Sequence, residues 1–144
     1  MKIGELIRAT GAKVFGNYDE DLEVQISTDT RTIKEGDFYL PLKGASFDGE
    51  KFIDQALEKG AIGAFCTMSP IISKSAGSSL FLQVPDTLTA YLQLANYRRN
   101  KLDLQVVAIT GSSGKTTTKE MVACVLAQKG ETIKTEGNLN NEIG

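Results

Sequence analysis

The sequence has no histidine and no tryptophan, and only two cysteines and three prolines among its 144 residues. Without histidine, these residues can build neither a Ser-His-Asp nor a Cys-His nucleophile system, and no histidine metal site. Cys66 and Cys124 stand in apolar surroundings at a separation that matches no metal motif, so each is expected to be a buried, reduced thiol. An excess of one charge is also missing. Sixteen Lys and Arg against 18 Asp and Glu give a net charge of -2, which leaves no electrostatic footprint for nucleic acid or an anionic membrane. No apolar run approaches the ~20 residues that span a bilayer, and the first residues lack a secretory pattern. The expectation is a cytoplasmic protein with no nucleic-acid partner and no membrane insertion; composition leaves its oligomeric state open.

What is present is an ordinary globular mixture, 41% hydrophobic and 24% charged, enough for one core and a further fragment. Apolar periodicity predicts a short helix over residues 3–9 with Ile3, Leu6 and Ile7 inward, then a strand over 13–15. Strands are further expected at 24–27, 38–42, 62–67 and 80–84, with a surface loop at 73–79. A helix is predicted over 49–59, burying Phe52, Ile53, Ala56 and Leu57 and ending at Gly60. A second helix, capped by Pro85-Asp86-Thr87, runs to about 101 with Leu88, Tyr91, Leu92 and Ala95 on its buried stripe. Alternating strands and helices define an α/β class with a small mixed sheet.

The most informative segment is Val106-Val107-Ala108-Ile109-Thr110-Gly111-Ser112-Ser113-Gly114-Lys115-Thr116-Thr117-Thr118. It sets a strand-like run before a glycine-punctuated loop, then opens a helix with a lysine and three hydroxyls. Each residue type has a physical task in a phosphate-binding loop. Gly111 and Gly114 permit positive φ and close backbone approach, so the N–H groups of Ser112, Ser113, Gly114, Lys115, Thr116 and Thr117 can face phosphate oxygens. Lys115 brings a compact positive charge to the β and γ phosphates, and Thr116 carries the hydroxyl expected on Mg²⁺. The positive end of the following helix adds to both. The general pattern has a glycine five residues before Gly114; Ile109 stands there instead.

The 29 residues after Lys115 read as a helix over 115–129 with Met121, Val122, Val125 and Leu126 on one face, a C-cap at Gly130 and a short strand over 131–135. A complete nucleotide-hydrolysing domain needs more strands, an acidic strand end for Mg²⁺ and a base pocket. The sequence is therefore expected to be cut from a longer protein, with a boundary at 100–105 that gives a first domain, 1–103, and the start of a second, 104–144. The 106–109 strand reads as one buried on both faces of a parallel sheet, yet its sheet neighbours are missing from this stretch.

In the first domain, Asp29 and Arg31 have the donors and acceptors to hold a ligand's phosphates and hydroxyls. The same two residues equally describe an Asx turn with a surface ion pair. Lys43 and Asp48 flank a loop before a helix, where an anion can sit; Asp48 reads equally as an N-cap. Arg98, Arg99 and Lys101 occupy a last helical turn, where cations suit the macrodipole.

These segments together resemble the Mur ligase family. Residues 109–118 are similar to the family's ATP loop, in which the generic first glycine is also missing. Ser27-Thr28-Asp29-Thr30-Arg31, Glu35-Gly36-Asp37-Phe38, Leu42-Lys43-Gly44, Phe47-Asp48-Gly49 and Gly60-Ala61 resemble its uridine-diphosphate-binding N-terminal domain. Where the family often has a histidine after Asp48-Gly49, Glu50 stands here. The stretch Glu136-Gly137-Asn138-Leu139-Asn140-Asn141-Glu142-Ile143-Gly144 resembles the member that acts on UDP-N-acetylmuramoyl-tripeptide. The member adding the third amino acid usually carries a Thr-Thr-Pro segment there.

The resemblance implies an ATP-dependent amide ligase of peptidoglycan precursor synthesis, with ATP and Mg²⁺ as cofactors and UDP-N-acetylmuramoyl-tripeptide and D-alanyl-D-alanine as partners. ATP would phosphorylate the tripeptide carboxylate to an acyl phosphate, which the dipeptide amine would attack. Lys115 and Thr116 would be catalytic, with Mg²⁺ on Thr116. Ser27, Asp29, Thr30, Arg31, Lys43, Gly44, Asp48, Gly49, Asn138 and Asn141 would bind substrate. The isolated chain would be inactive. A self-sufficient nucleotide-binding module and a scaffolding relative stay open as alternatives, the first opposed by the missing acidic strand and the second by the intact loop.

Overall fold

The computed structural model describes residues 1–44, 47–68 and 79–135. The chain divides into two compact units, Met1–Lys101 and Leu102–Gly144.

The first unit begins with helix α1, Ile3–Thr10, whose entry is fixed by the Lys2 backbone N–H donating to Glu5 Oε2 at 3.0 Å. Gly11 ends it, and strand β1, Lys13–Phe15, follows. Four more strands complete the sheet: β2 (Ile26–Ser27), β3 (Phe38–Tyr39), β4 (Gly63–Cys66) and β5 (Leu80–Gln83). Their order is β1-β5-β4-β3-β2. β1 runs antiparallel to β5 and the remaining neighbours are parallel, so the sheet is mixed and the class α/β, as expected from the sequence.

Side chains alternate across this sheet, and both faces are covered. Phe38, Phe65, Leu80 and Leu82 point to one side, where they join Ile3 and Leu6 of α1 and Ala90 and Leu94 of α3 (Thr87–Asn100). Phe38 and Phe65 meet there edge to face, with centroids 5.4 Å apart. Tyr39, Ala64, Cys66 and Phe81 point to the other side, against Ala56 of helix α2, Ile53–Glu58. Burial on both faces explains why β4 and β5 read as continuous apolar runs.

Several expectations need correction. The expected 24–27 and 38–42 strands shorten to β2 and β3, which pair over two residues, and Pro41, which has no N–H to donate, stands within the second expected stretch. The 49–59 helix is a 3-10 turn, Gly49–Phe52, followed by α2; Phe52 is exposed and stacks on Phe47 rather than entering the core. On α3 the buried stripe is Thr87, Ala90 and Leu94, while Leu92 and Ala95 face outward. The helix is capped by Asp86, whose side chain accepts from the Thr89 N–H at 2.6 Å, and packing of Ala90 and Leu94 against α1 and the sheet sets its rotation. Of the expected 73–79 loop, residues 73–78 lie outside the described residues.

In the second unit, helix α4 spans Lys115–Leu126, with its C-cap at Ala127 rather than at Gly130. Neither 106–109 nor 131–135 forms a strand, since a strand exists only by pairing and the described residues of this unit provide no partner. Met121, Val125 and Leu126 are exposed, and α4 buries no residue. Cys66 is buried, whereas Cys124 is exposed, contrary to the expectation for it. Burial pushes the Cys66 thiol up to about 11, consistent with an inert thiol.

Candidate functional site

Two groups of candidate residues are expected from the sequence; among the described residues, the substrate candidates lie in the first unit and the ATP-loop candidates in the second. In the first unit, β2 and β3 are parallel neighbours, so the segments leaving their carboxyl ends emerge at the same edge of the sheet. In open α/β sheets that edge is where ligands bind.

The segment after β2 is a tight polar turn. Asp29 is its hub: the Arg31 backbone N–H donates to Asp29 Oδ1 at 2.9 Å, and Arg31 Nε donates to both carboxylate oxygens at 3.0 Å. Arg31 Nη2 lies 2.6 Å from Asp29 Oδ2. These bonds from Arg31 hold the Asp29 carboxyl well below the usual range, at about 2. Ser27 Oγ and Thr32 Oγ1 both donate to the Asp29 carbonyl, each at 3.1 Å. The Asx turn with an ion pair is therefore present, and it displays Arg31 outward with a side chain 86% exposed.

Thr30, between the two charged residues, turns the other way and is buried. Its hydroxyl donates to Gln55 Oε1 at 3.1 Å, and its carbonyl accepts from Lys59 Nζ at 2.7 Å. Sequence reasoning missed Gln55 and Lys59. Their only signal is i, i+4 spacing on the helix facing the turn, which is common to many surface pairs.

After β3 the chain folds back on itself. Lys43 and Asp48 form an isolated antiparallel bridge, and the Gly44 N–H donates to the Phe47 carbonyl at 2.8 Å. Lys43 and Gly44 are exposed, and Asp48 caps the 3-10 turn by accepting from the Glu50 N–H at 3.1 Å. Gly49 is required by space: a Cβ there would stand 2.7 Å from the Leu42 carbonyl oxygen. The buried Tyr39 hydroxyl donates to the Gly49 carbonyl at 3.1 Å and so fixes this loop to the sheet. Burial, and then the Asp29 charge, push the Tyr39 hydroxyl pKa up. Glu50 Oε1 accepts from the Thr67 N–H at 2.7 Å, a structural task for the residue standing where a histidine is common.

In the second unit, Gly114 is the N-cap of α4 at φ 77° and ψ -1°, a left-handed conformation that favours glycine. It provides no side-chain cap to the first-turn amides, and no acidic residue stands in that turn. Gly111 also has positive φ, and its carbonyl accepts from Lys115 Nζ at 2.6 Å. The lysine is thus folded back across the loop. Ser112, Ser113, Thr116 and Thr117 are exposed around it. An exposed helix N-terminus with a lysine beside it and no competing carboxylate in its first turn is suited to an anion. Asn138 and Asn141 lie outside the described residues.

The class these features define is an α/β protein with polar loops at the carboxyl edge of a mixed sheet and a glycine-lysine loop opening a helix. A family model described as the Mur ligase family, catalytic domain, matches residues 24–99, and one described as the Mur ligase middle domain matches residues 109–144. The chain belongs to the Mur ligase family.

A Synechocystis protein named UDP-N-acetylmuramoyl-tripeptide–D-alanyl-D-alanine ligase is 47% identical over 129 residues, 89% of this chain and 28% of the relative. A crystal structure of MurF from Acinetobacter baumannii superposes with a TM-score of 0.87 at 37% identity, over 99% of this chain and 31% of that one. MurF ligase from Thermotoga maritima in complex with ADP superposes with a TM-score of 0.74 at 33% identity, over 88% of this chain and 29% of that one. The chain therefore spans less than a third of the length of these relatives.

Proposed function

We propose that this chain is part of a cytoplasmic, ATP-dependent amide ligase of peptidoglycan precursor synthesis, joining D-alanyl-D-alanine to UDP-N-acetylmuramoyl-tripeptide. The observation that carries the reading is the 111–118 loop: Gly114 left-handed at the N-cap, Lys115 folded over the Gly111 carbonyl, and α4 beginning directly behind. Similarity along the whole chain to ligases of that name supports it, as does a relative's complex with ADP.

In this reading residues 1–103 hold the nucleotide end of the substrate and residues 104–144 begin the ATP-binding domain. Ser27, Asp29, Arg31, Lys43, Gly44, Asp48 and Gly49 surround the nucleotide. The buried Thr30 contributes through its backbone and the shape of the turn. The backbone from Gly111 to Thr117 cradles the triphosphate, and Lys115 leaves the Gly111 carbonyl to stabilise charge on the transferring phosphoryl group. That group passes to the terminal carboxylate, giving an acyl phosphate and ADP. The dipeptide amine then attacks the acyl carbon, forming the amide and releasing phosphate and a proton.

Thr116 has the hard oxygen ligand that suits Mg²⁺, which takes few protein ligands and keeps water and phosphate oxygens. The described residues contain no group of three or more acidic, histidine or cysteine side chains that could hold a metal alone, so Thr116 would hold the ion together with phosphate oxygens and water. When bound, Mg²⁺ would neutralise phosphate charge. Among the described residues no helix is long and apolar enough to cross a membrane.

Calorimetric titration of the chain with UDP-N-acetylmuramoyl-tripeptide and, separately, with Mg-ATP tests the proposal. Saturable binding of the UDP ligand, lost in Arg31→Ala, is expected, with weak ATP binding that Lys115→Ala removes. Binding of ATP without any binding of the UDP ligand would replace the proposal with an independent nucleotide-binding module.

A further inference from the structure

We infer that Lys59 and Gln55 are positioning residues for nucleotide binding: together they clamp Thr30 and so present Asp29 and Arg31 to the ligand. The inference rests on the nucleotide reading of this turn given above.

The hydrogen bonds around Asp29 are local. They link residues 27, 29, 31 and 32, and a short exposed turn held only in this way exchanges between conformations easily. The two bonds to Thr30 are of another kind, spanning 25 and 29 positions of sequence. They reach the turn from Gln55 in α2 and from Lys59 at its C-cap, one helical turn apart on one face. Helix α2 is itself fixed to the sheet through Ala56, which is fully buried against the Tyr39, Ala64 and Cys66 side of the core. Beyond its start at Ser27 of β2, the turn is therefore referred to the rigid sheet through Thr30.

That residue is the right one for display. Because Thr30 is drawn inward through both its hydroxyl and its carbonyl, its neighbours on either side are turned outward. The Arg31 bonds do most to lower the Asp29 carboxyl, and the Lys59 charge, held at the Thr30 carbonyl, acts on it in the same direction. The Gly60 carbonyl, one residue on, accepts from the Gly36 N–H at 2.9 Å and ties the end of α2 to the turn before β3. Preorganisation of this sort raises affinity by removing the ordering cost from the binding step, with no contact between Lys59 and the ligand needed.

The test uses the whole chain with UDP as the probe. Lys59→Met keeps the aliphatic stem and removes the donor, at an exposed C-cap whose negative φ of -86° places no demand for glycine. UDP affinity is expected to fall about tenfold, while the thermal midpoint moves by less than about 4 °C. In the ligand-free ¹⁵N spectrum the Arg31 and Thr32 amides shift and exchange faster. Lys59→Arg restores both readouts, and Gln55→Ala gives a smaller loss in the same direction. Unchanged UDP affinity in Lys59→Met overturns the inference and leaves the nucleotide site standing. Weaker binding that comes only with a large fall in midpoint and is not restored by Lys59→Arg also overturns it. Failure of the parent chain to bind UDP removes the nucleotide reading itself, and the inference with it.

Discussion

The two units contain similar apolar residues and use them differently. In Met1–Lys101, valines, leucines and phenylalanines alternate across a five-stranded sheet whose two faces are both covered by helices. In Leu102–Gly144, Val106 is 64% exposed and Ile133 is 90% exposed, and α4 buries no side chain. Strand propensity is the same in both. What differs is the availability of a partner strand, so an apolar run becomes a strand only where neighbours take up its backbone hydrogen bonds. The candidate loops do not follow that division: the Gly111–Gly114 loop is a local construction of glycine geometry and a nearby lysine, whereas the Asp29–Arg31 turn combines local polar bonds with two long-range bonds at Thr30.

The contrast is broken most directly through the core. Phe65→Ala removes a fully buried ring that meets Phe38 edge to face and should destabilise the first unit by about 3–5 kcal/mol. The corresponding change in the second unit, Val125→Ala, should stay within about 0.5 kcal/mol. Urea unfolding of the two variants decides it, and a cost for Phe65→Ala no larger than that for Val125→Ala would remove the distinction between the units.

Amide exchange sharpens the same comparison. Amides of residues 63–66 and 80–83 should exchange only by global opening, whereas those of 104–110 and 131–135 should exchange close to unprotected rates. Equally slow exchange over 106–135, in a monomer whose behaviour is independent of concentration, would show that the second unit is as well packed as the first.

A smaller effect separates caps from cores. Asp86→Ala removes the acceptor for the Thr89 N–H and should cost about 1 kcal/mol. That backbone bond holds the Asp86 carboxyl below its usual value. The cap is thus fully present above the ordinary carboxylate range and is lost as pH falls through the lowered pKa. In Asp86→Ala, that acid-dependent part of the stability should disappear from denaturation curves taken at successive pH values.

Which features were legible in the sequence follows from how local they are. Gly114, Lys115 and Thr116 announce a loop at a helix start, and that loop has the expected backbone because its geometry depends on its own residues. Asp86 likewise marks the start of α3, and Gly60 the end of the 49–59 segment. The buried stripe of α3 was displaced because Leu88, Leu92 and Ala95 fit a helical period as well as Thr87, Ala90 and Leu94 do. Only packing against α1 and the sheet selects between the two sets. Phe52 was misplaced for a related reason: an aromatic at helical spacing reads as core, while here it stacks on Phe47 with ring centroids 5.5 Å apart outside the core. Lys59 and Gln55 carry only an unspecific i, i+4 spacing, since their partner is Thr30, 29 and 25 positions away.

The smallest effect on stability is expected where the electrostatic effect is largest. Arg31 makes three side-chain contacts to the Asp29 carboxylate and lowers its pKa to about 2. A depressed carboxylate favours the folded state above its ordinary pKa of 3.8 and loses that contribution as pH falls through about 2. The pair is open to water, however, and the Arg31 side chain is 86% exposed, so screening removes most of the benefit to the fold. Arg31→Ala should accordingly leave the denaturation midpoint at pH 7 unchanged while returning the Asp29 carboxyl toward its ordinary value, as read from ¹³C carboxyl shifts. A midpoint that falls as the pKa rises would instead make the pair part of the scaffold. An unchanged one leaves Arg31 a charge whose strong geometry does little for the fold and is available to a ligand.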